Sequence, residues 1–291
     1  MLNLFLSKLE SSTNRKAVKN LAELVFSCVH SIMKFIPSEQ HCPVCSAALV
    51  VLMRPVMSDT LAREWNVNSE WVNYFNRREG EICLSCGGSI RGRMFALALL
   101  KWIGVSQGIV ACGMKSLVRH PRVMELKIAE INSCGPMHKH LKKLKNLAYS
   151  EYSPDDGATR HEDLLALSYP DEMFDIVLHS DTLEHIPDVD RALFELRRVL
   201  KPGGAMIFSI PVVRDGRSTL VRASLQNGIL TEHLTPSYHG GSYQKTQQYL
   251  VCSEFGEDFF ETVRKSGFQL DILEHPTNPA AFTIIAVKAG G

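Results

Sequence analysis

From about residue 123 onward, strand-like apolar runs alternate with helical ones, and this alternation leaves few architectures open to the chain. The strand-like runs are KIAEIN, LAYSEY, FDIVLHS, AMIFSIPVV and FTIIAVK; between them stand HKHLKKLK, DRALFELRRVL and EDFFETVRKSG. Such alternation predicts a parallel sheet with helices on both faces. In RRVLKPGG the proline forbids further helix, and a glycine in the left-handed conformation is expected to end it. Between residues 212 and 255 the periodicity fades and Gly, Ser, Thr, His and Tyr gather. A long irregular insertion in such a domain is expected to act as a functional loop covering the substrate.

Upstream stand two knuckles, Cys42-Pro-Val-Cys45 and Cys83-Leu-Ser-Cys86-Gly-Gly. Each can hold two sulfurs on one side of a metal ion, and four thiolates match tetrahedral Zn²⁺. A closed four-sulfur shell leaves no open position, so the expected role is structural. A redox pair and free thiols in a small core are the competing readings. The stretch between the knuckles, 46–82, reads partly as helix, with Leu61, Trp65, Trp71, Val72 and Phe75 as its core. A helix over 94–103 leads out of the module, and 104–122 looks like a linking segment. Residues 16–36 carry apolar side chains at helical spacing. The expected division is therefore a helical segment over 1–40, a zinc-ribbon-like module over 41–103, and an α/β domain over 104–291 whose residues 212–255 form the insertion.

Hydrophobic residues make up 45% and charged residues 22%, the balance of a soluble globular chain. No apolar run is long enough to cross a bilayer. Lys8 and Glu10 interrupt the apolar N-terminus and no small-residue cleavage site follows, so a cytoplasmic protein is expected. Cysteines in a reducing compartment read as metal ligands or core thiols, and Cys28, Cys112, Cys134 and Cys252 are assigned to core or site lining. Net charge is +1, but residues 1–150 hold 20 basic and 10 acidic residues, and the rest hold 12 and 21. That asymmetry suits an anionic substrate, nucleic acid, or a second copy of the chain in a homodimer; a bipolar surface without a partner is the plainer reading. Arg77, Arg78, Arg91 and Arg93 flank the second knuckle, either as solvated charges or facing an anionic substrate.

The segment FDIVLHSDTLEHIPDVDRALFELRRVLKPGGAMIFSIP resembles the central strand-helix-strand of class I S-adenosylmethionine-dependent methyltransferases. The flanks extend the resemblance over roughly 41–290, through CLSCGGSIRGR, EHLTPSYHG and FGEDF, to a type 11-like bacterial group with a four-cysteine module. It implies a doubly wound, Rossmann-like sheet of seven strands. It also implies a cofactor site. The first strand ends in Glu130 and a loop holding Asn132, Cys134 and Gly135, of which only Gly135 keeps the family's three glycines. Glu151 takes the place of the acid that grips both ribose hydroxyls, which suits a carboxylate with two accepting oxygens, and Tyr152 stacks near the adenine. Asp163 and the Leu164 N–H meet the adenine edge, and His179 or Ser180 touches the cofactor from the next strand end.

Methyl transfer needs positioning above all, and a hydroxyl acceptor also needs a base. The candidates are His179, His185, His233 and His239, with His239 and His185 placed first. The resemblance implies O- or N-methylation of a small molecule or glycan. The basic N-terminal half keeps open an RNA methyltransferase gripping nucleic acid through its zinc module, and the eroded glycine loop keeps open a non-catalytic binding protein.

Overall fold

The computed structural model describes residues 41–154, 157–240 and 249–290; the helix expected over 16–36, with Cys28, lies outside them. Cys42–Gly291 forms one compact unit. Its centre is a seven-stranded sheet built from β3 (Ile128–Ile131), β4 (Leu147–Glu151), β5 (Arg160–His161), β6 (Phe174–Ser180), β7 (Leu200–Ser209), β8 (Phe268–His275) and β9 (Asn278–Lys288), in the order β8-β9-β7-β6-β3-β4-β5. Neighbours from β5 through β7 pair in parallel, and β9 runs antiparallel to both β7 and β8. The order reverses between β3 and β6, the switch point at which open α/β sheets bind ligands beyond their strand ends.

Strand periodicity of two sorts the core onto the two faces. Ile128, Ile176, Leu178, Ala205, Ile207 and Ile285 belong to one apolar cluster; Ala129, Val177, Met206, Phe208 and Ile284 belong to the other. Helix α4 (Val189–Val199), capped by the Asp188 side chain on the Arg191 N–H, covers the second face with Ala192, Leu193, Leu196 and Val199. It ends without a left-handed glycine: Leu200 is already extended (φ −80°, ψ 139°), and Gly203 (φ 75°) lies inside β7, where the pairing with β6 shifts between Leu200 and Ala205. Helix α5 (Phe259–Lys265) packs beside it. The HKHLKKLK run forms only a short helix, His138–Leu141.

The first face is covered from the cysteine module. A ribbon of β1 (Val51–Met53) and β2 (Glu81–Cys83) frames two helices, α1 (Asp59–Glu64) and α2 (Ser69–Gly80), and helix α3 (Ile90–Gln107) follows. Phe95, Ala96, Leu99, Trp102 and Ile103 of α3 share a cluster with Cys42, Cys83, Ile176 and Ile207. The helix expected over 94–103 thus begins earlier and runs later, and the boundary expected at residue 103 falls inside it. Trp65, Trp71 and Phe75 are buried as expected, in a cluster with Val213, Val251 and Ala280.

The 212–255 insertion is more ordered than its composition suggests. Among its described residues it forms antiparallel pairings of Ala223–Gln226 with Ile229–Glu232, of Leu220–Val221 with Ser253–Glu254, and of Tyr238–His239 with Tyr249–Leu250. No described helix is long and apolar enough to cross a membrane.

Candidate functional site

The four cysteines of the two knuckles meet. Cys42 Sγ stands 3.7 Å from Cys86 Sγ, and Cys45 Sγ 3.9 Å from Cys83 Sγ. All four sulfurs lie within 4.8 Å of one another. Sulfurs bonded to one tetrahedral zinc at about 2.3 Å stand ~3.8 Å apart, so the donor set and its spacing fit that ion. Each knuckle turns through the left-handed region just after its second cysteine, at Ser46 (φ 63°) and at Gly87 (φ 76°). The glycine takes that conformation freely, whereas the serine is strained there and held by its N–H bond to the Cys42 carbonyl (2.7 Å). Of the remaining cysteines, Cys134 and Cys252 are buried, but Cys112 is exposed, which takes it out of the core.

Beyond the carboxyl ends of β3 and β4 lies the loop that the sequence marked as glycine-poor. Asn132 occupies the left-handed region (φ 57°) that a glycine otherwise supplies, and Gly135 does the same at 63°. Asparagine tolerates that region better than most residues. Its Oδ1 accepts from the Tyr152 N–H at 3.0 Å, tying the loop to the end of β4. Glu130 is wholly buried: its Oε1 accepts from the Cys134 N–H (2.9 Å) and its Oε2 meets His138 Nδ1 (2.7 Å). Glu130 therefore holds the loop rather than facing solvent. Glu151 Oε1 accepts from the Ser133 N–H (3.2 Å) and from the Tyr149 hydroxyl. Tyr152 is exposed, with its ring 5.7 Å from that of His161. Asp163 caps the Leu165 N–H (2.9 Å), and Leu164 is buried in the core.

His179 does not sit open at the strand end. It is fully buried, stacked 4.9 Å from Phe208, and neither ring nitrogen has a partner. Desolvation, only partly offset by Asp181, pushes its pKa down to about 3. Because the folded value is depressed, the stability it contributes is present above its unfolded pKa and lost as pH falls toward 3. Acidification below pH ~6.5 is expected to cost about 1.4 kcal/mol per pH unit at this residue. Urea denaturation between pH 7 and 4.5 checks this, since His179→Phe keeps a ring against Phe208 and should flatten the slope. Equal slopes in the two proteins would refute it.

Ser180 and Asp181, at the end of β6, meet the module's arginines. Arg78 binds Asp181 with both terminal nitrogens (2.7 Å each), and its side chain is 2% exposed. Arg91 contacts Glu79 (2.8 Å), the Ser180 hydroxyl and Asp181 (3.3 Å). Burial alone would raise the Asp181 carboxyl, but the two guanidiniums outweigh it and hold the group well below the usual range. Arg93 reaches the Glu81 and Gly88 carbonyls and the Glu81 carboxylate (2.7 Å), bracing the second knuckle. All three arginines are thus engaged with internal carboxylates. Nothing local in the sequence pairs Arg78 with Asp181; adjacency to a strand end was the one available signal.

Next to this network, the short turn Leu183–His185 brings Glu184 and His185 against His239 from the insertion. His185 and His239 are 5.0 Å apart between ring centres, and Trp65 meets His239 edge-on at 5.1 Å. His185 Nδ1 lies 2.8 Å from the Leu250 carbonyl, so that nitrogen carries the proton and Nε2 keeps its lone pair. Burial lowers the pKa of both rings, that of His239 to about 4. His233 lies apart from this group, its Nε2 2.7 Å from the Ser224 hydroxyl.

Residues 103–208, spanning β3 through most of β7, match a family described as a methyltransferase domain. The matched segment is about a third of the chain. Methyltransferase GfsG of Streptomyces halstedii is 27% identical over 173 residues, 56% of this chain and 56% of that protein. The 27-O-demethylrifamycin SV methyltransferase of Amycolatopsis mediterranei (strain S699) is 32% identical over 68 residues, 23% of this chain and 25% of that one. The chain thus spans about half or less of the length of these curated relatives. Among solved structures, the 1,6-didemethyltoxoflavin-N1-methyltransferase of Burkholderia thailandensis aligns over 84% of this chain and 96% of its own, at 15% identity and a TM-score of 0.42. The matched segment and the cysteine module share one apolar core.

Proposed function

We propose that this chain is an S-adenosylmethionine-dependent methyltransferase acting on a small molecule, with a structural zinc held by Cys42, Cys45, Cys83 and Cys86. The observation that carries the first part is the loop beyond β3. Asn132 restores the backbone conformation that a missing glycine would have given, and the Ser133 N–H ties that loop to Glu151 at 3.2 Å. Bare backbone and a ribose-binding carboxylate then stand side by side at the sheet's switch point. S-adenosylmethionine, when bound, supplies an electrophilic methyl group. The chain's own residues do the rest. Glu151 would accept from the ribose hydroxyls, Tyr152 would lie along the adenine, and Asp163 and the Leu164 N–H would meet its edge; Ser180 would border the site from β6. His185 and His239, brought together beneath the insertion, handle the acceptor's proton. The 212–255 ribbons cover the acceptor and keep water from it. The arginines nearest the cysteines are engaged with internal carboxylates, which favours a small-molecule or glycan acceptor over RNA.

Calorimetric titration of S-adenosylmethionine tests the reading. Binding is expected in wild type and at least tenfold weaker in Glu151→Ala, since a hydrogen bond to a charged group is worth about 1.5–3 kcal/mol. A folded, zinc-containing protein that evolves no binding heat would overturn it.

A further inference from the structure

Glu184 presents a problem that the methyltransferase reading does not solve. The residue is wholly buried, yet neither carboxylate oxygen has a hydrogen-bond partner. Buried carboxylates are ordinarily paired or bound to a cation, because stripping water from one without compensation is costly. The arginines close by do not serve it. Arg78 and Arg91 are bonded to Asp181, Glu79 and Ser180.

What does face Glu184 is imidazole. His185 Nε2 lies 3.9 Å from Glu184 Oε1, and His185 Nδ1 is fixed on the Leu250 carbonyl, so Nε2 offers a lone pair. His239 Nε2 is likewise buried without a partner. One atom each of Glu184, His185 and His239 falls within a 4.8 Å sphere of mutual distance. Two groups without partners, Glu184 and His239, thus converge with the His185 ring from two elements, the turn after β6 and the Tyr238–His239 strand of the insertion. Each has the chemistry of a metal ligand. The bond from His185 Nδ1 to a backbone carbonyl is the support that orients metal-binding histidines elsewhere.

We infer that Glu184, His185 and His239 form a second metal site, separate from the four cysteines, that takes a divalent transition ion. Two imidazoles and one carboxylate suit Mn²⁺, Fe²⁺, Co²⁺ or Zn²⁺ and leave coordination positions open. Neighbouring ligand atoms on one ion stand ~3.0–3.4 Å apart for bonds of about 2.1 Å. The 3.9 Å between His185 Nε2 and Glu184 Oε1 and the 4.8 Å within which all three atoms lie shrink to that spacing when an ion draws the side chains in. The ion neutralises the buried carboxylate and stitches the insertion to the sheet. Resting further on the proposed methyl transfer, its open positions would bind an acceptor hydroxyl and ease loss of that proton, the task otherwise left to a ring nitrogen.

The test uses the full chain with one equivalent of zinc in the cysteine site, titrated with Co²⁺ and followed in the visible spectrum without S-adenosylmethionine. One further equivalent of Co²⁺ is expected, with d–d bands and no sulfur-to-cobalt charge transfer. Binding should fall at least tenfold in Glu184→Gln and in His239→Ala. The second variant alters an insertion residue, so it remains informative if the buried Gln variant does not fold. Zinc content and circular dichroism establish that each variant is intact. No uptake of Co²⁺ beyond the cysteine site, or uptake unchanged in both variants, overturns the inference. Because the readout needs no methyl donor, its failure leaves the donor-binding titration untouched, and the reverse holds as well.

Discussion

Replacing Cys83 with serine, or withdrawing the proposed zinc with a chelator, is expected to unfold the seven-stranded sheet as well as the cysteine module over 41–103. Cys42 and Cys83 are almost entirely enclosed, in the same apolar cluster as Ile176 and Leu178 of β6 and Ile207 of β7. Helix α3, which seals that face of the sheet, starts a few residues after the second knuckle. Structural zinc binding is worth roughly 10–16 kcal/mol in small zinc-dependent folds, whereas whole domains are stable by about 5–15 kcal/mol. Even a loss of ~5 kcal/mol would lower the melting temperature by about 10–20 °C in a domain of this size. Thermal melts followed by circular dichroism, with zinc measured on the same samples, check this. An unchanged melting temperature in metal-free protein would show that the four thiols merely fill space.

The second large effect concerns Asp181. Asp181→Ala leaves the Arg78 guanidinium, 2% exposed, without the carboxylate that holds both of its terminal nitrogens. Breaking a buried pair from one side costs about 3–5 kcal/mol, because the survivor is an uncompensated buried charge. Glu79 and Arg91 soften that loss but do not remove it, since Glu79 is shared between the two arginines. The sharper result lies in the double variant. Arg78→Met with Asp181→Leu removes both charges and should recover most of the stability, as paired replacement of buried ions by apolar groups commonly does. Denaturant titrations of the single and double variants decide it. A single variant within about 1 kcal/mol of wild type would mean that water reaches the arginine.

Much of this fold was legible because it rests on periodicity. The runs ending at Ile131, Glu151 and Ser180 alternate between faces, and Ala192, Leu193, Leu196 and Val199 repeat at helical spacing; both patterns come from local geometry. The metal-ligand spacing of the four cysteines was readable for the same reason, since a knuckle is a local turn. The glycine-poor loop was legible only in part. Its sequence showed that glycines were missing, but not that Asn132 takes up the left-handed conformation of one of them. His179 misled because strand position alone does not tell which end of a strand residue meets solvent. The Arg78–Asp181 pair was not read from the sequence, and of the Glu184–His185–His239 group only the two histidines were singled out, without Glu184. Arg78 lies far in sequence from Asp181, and His239 from Glu184 and His185, and these meet only through tertiary packing of α2 and of the insertion on the turn after β6.

Helix α3 has a further consequence for how such a chain can be taken apart. It carries the second knuckle at one end, and its apolar side chains lie over the middle strands. A fragment cut at residue 104 would keep a single turn of that helix and lay bare Ile176, Leu178, Ala205 and Ile207, a greasy plate on an otherwise intact sheet. Such a plate invites self-association before any catalysis can be measured. The cysteine region is therefore no detachable accessory to a self-sufficient sheet, and neither piece is a sound starting point for grafting or minimisation.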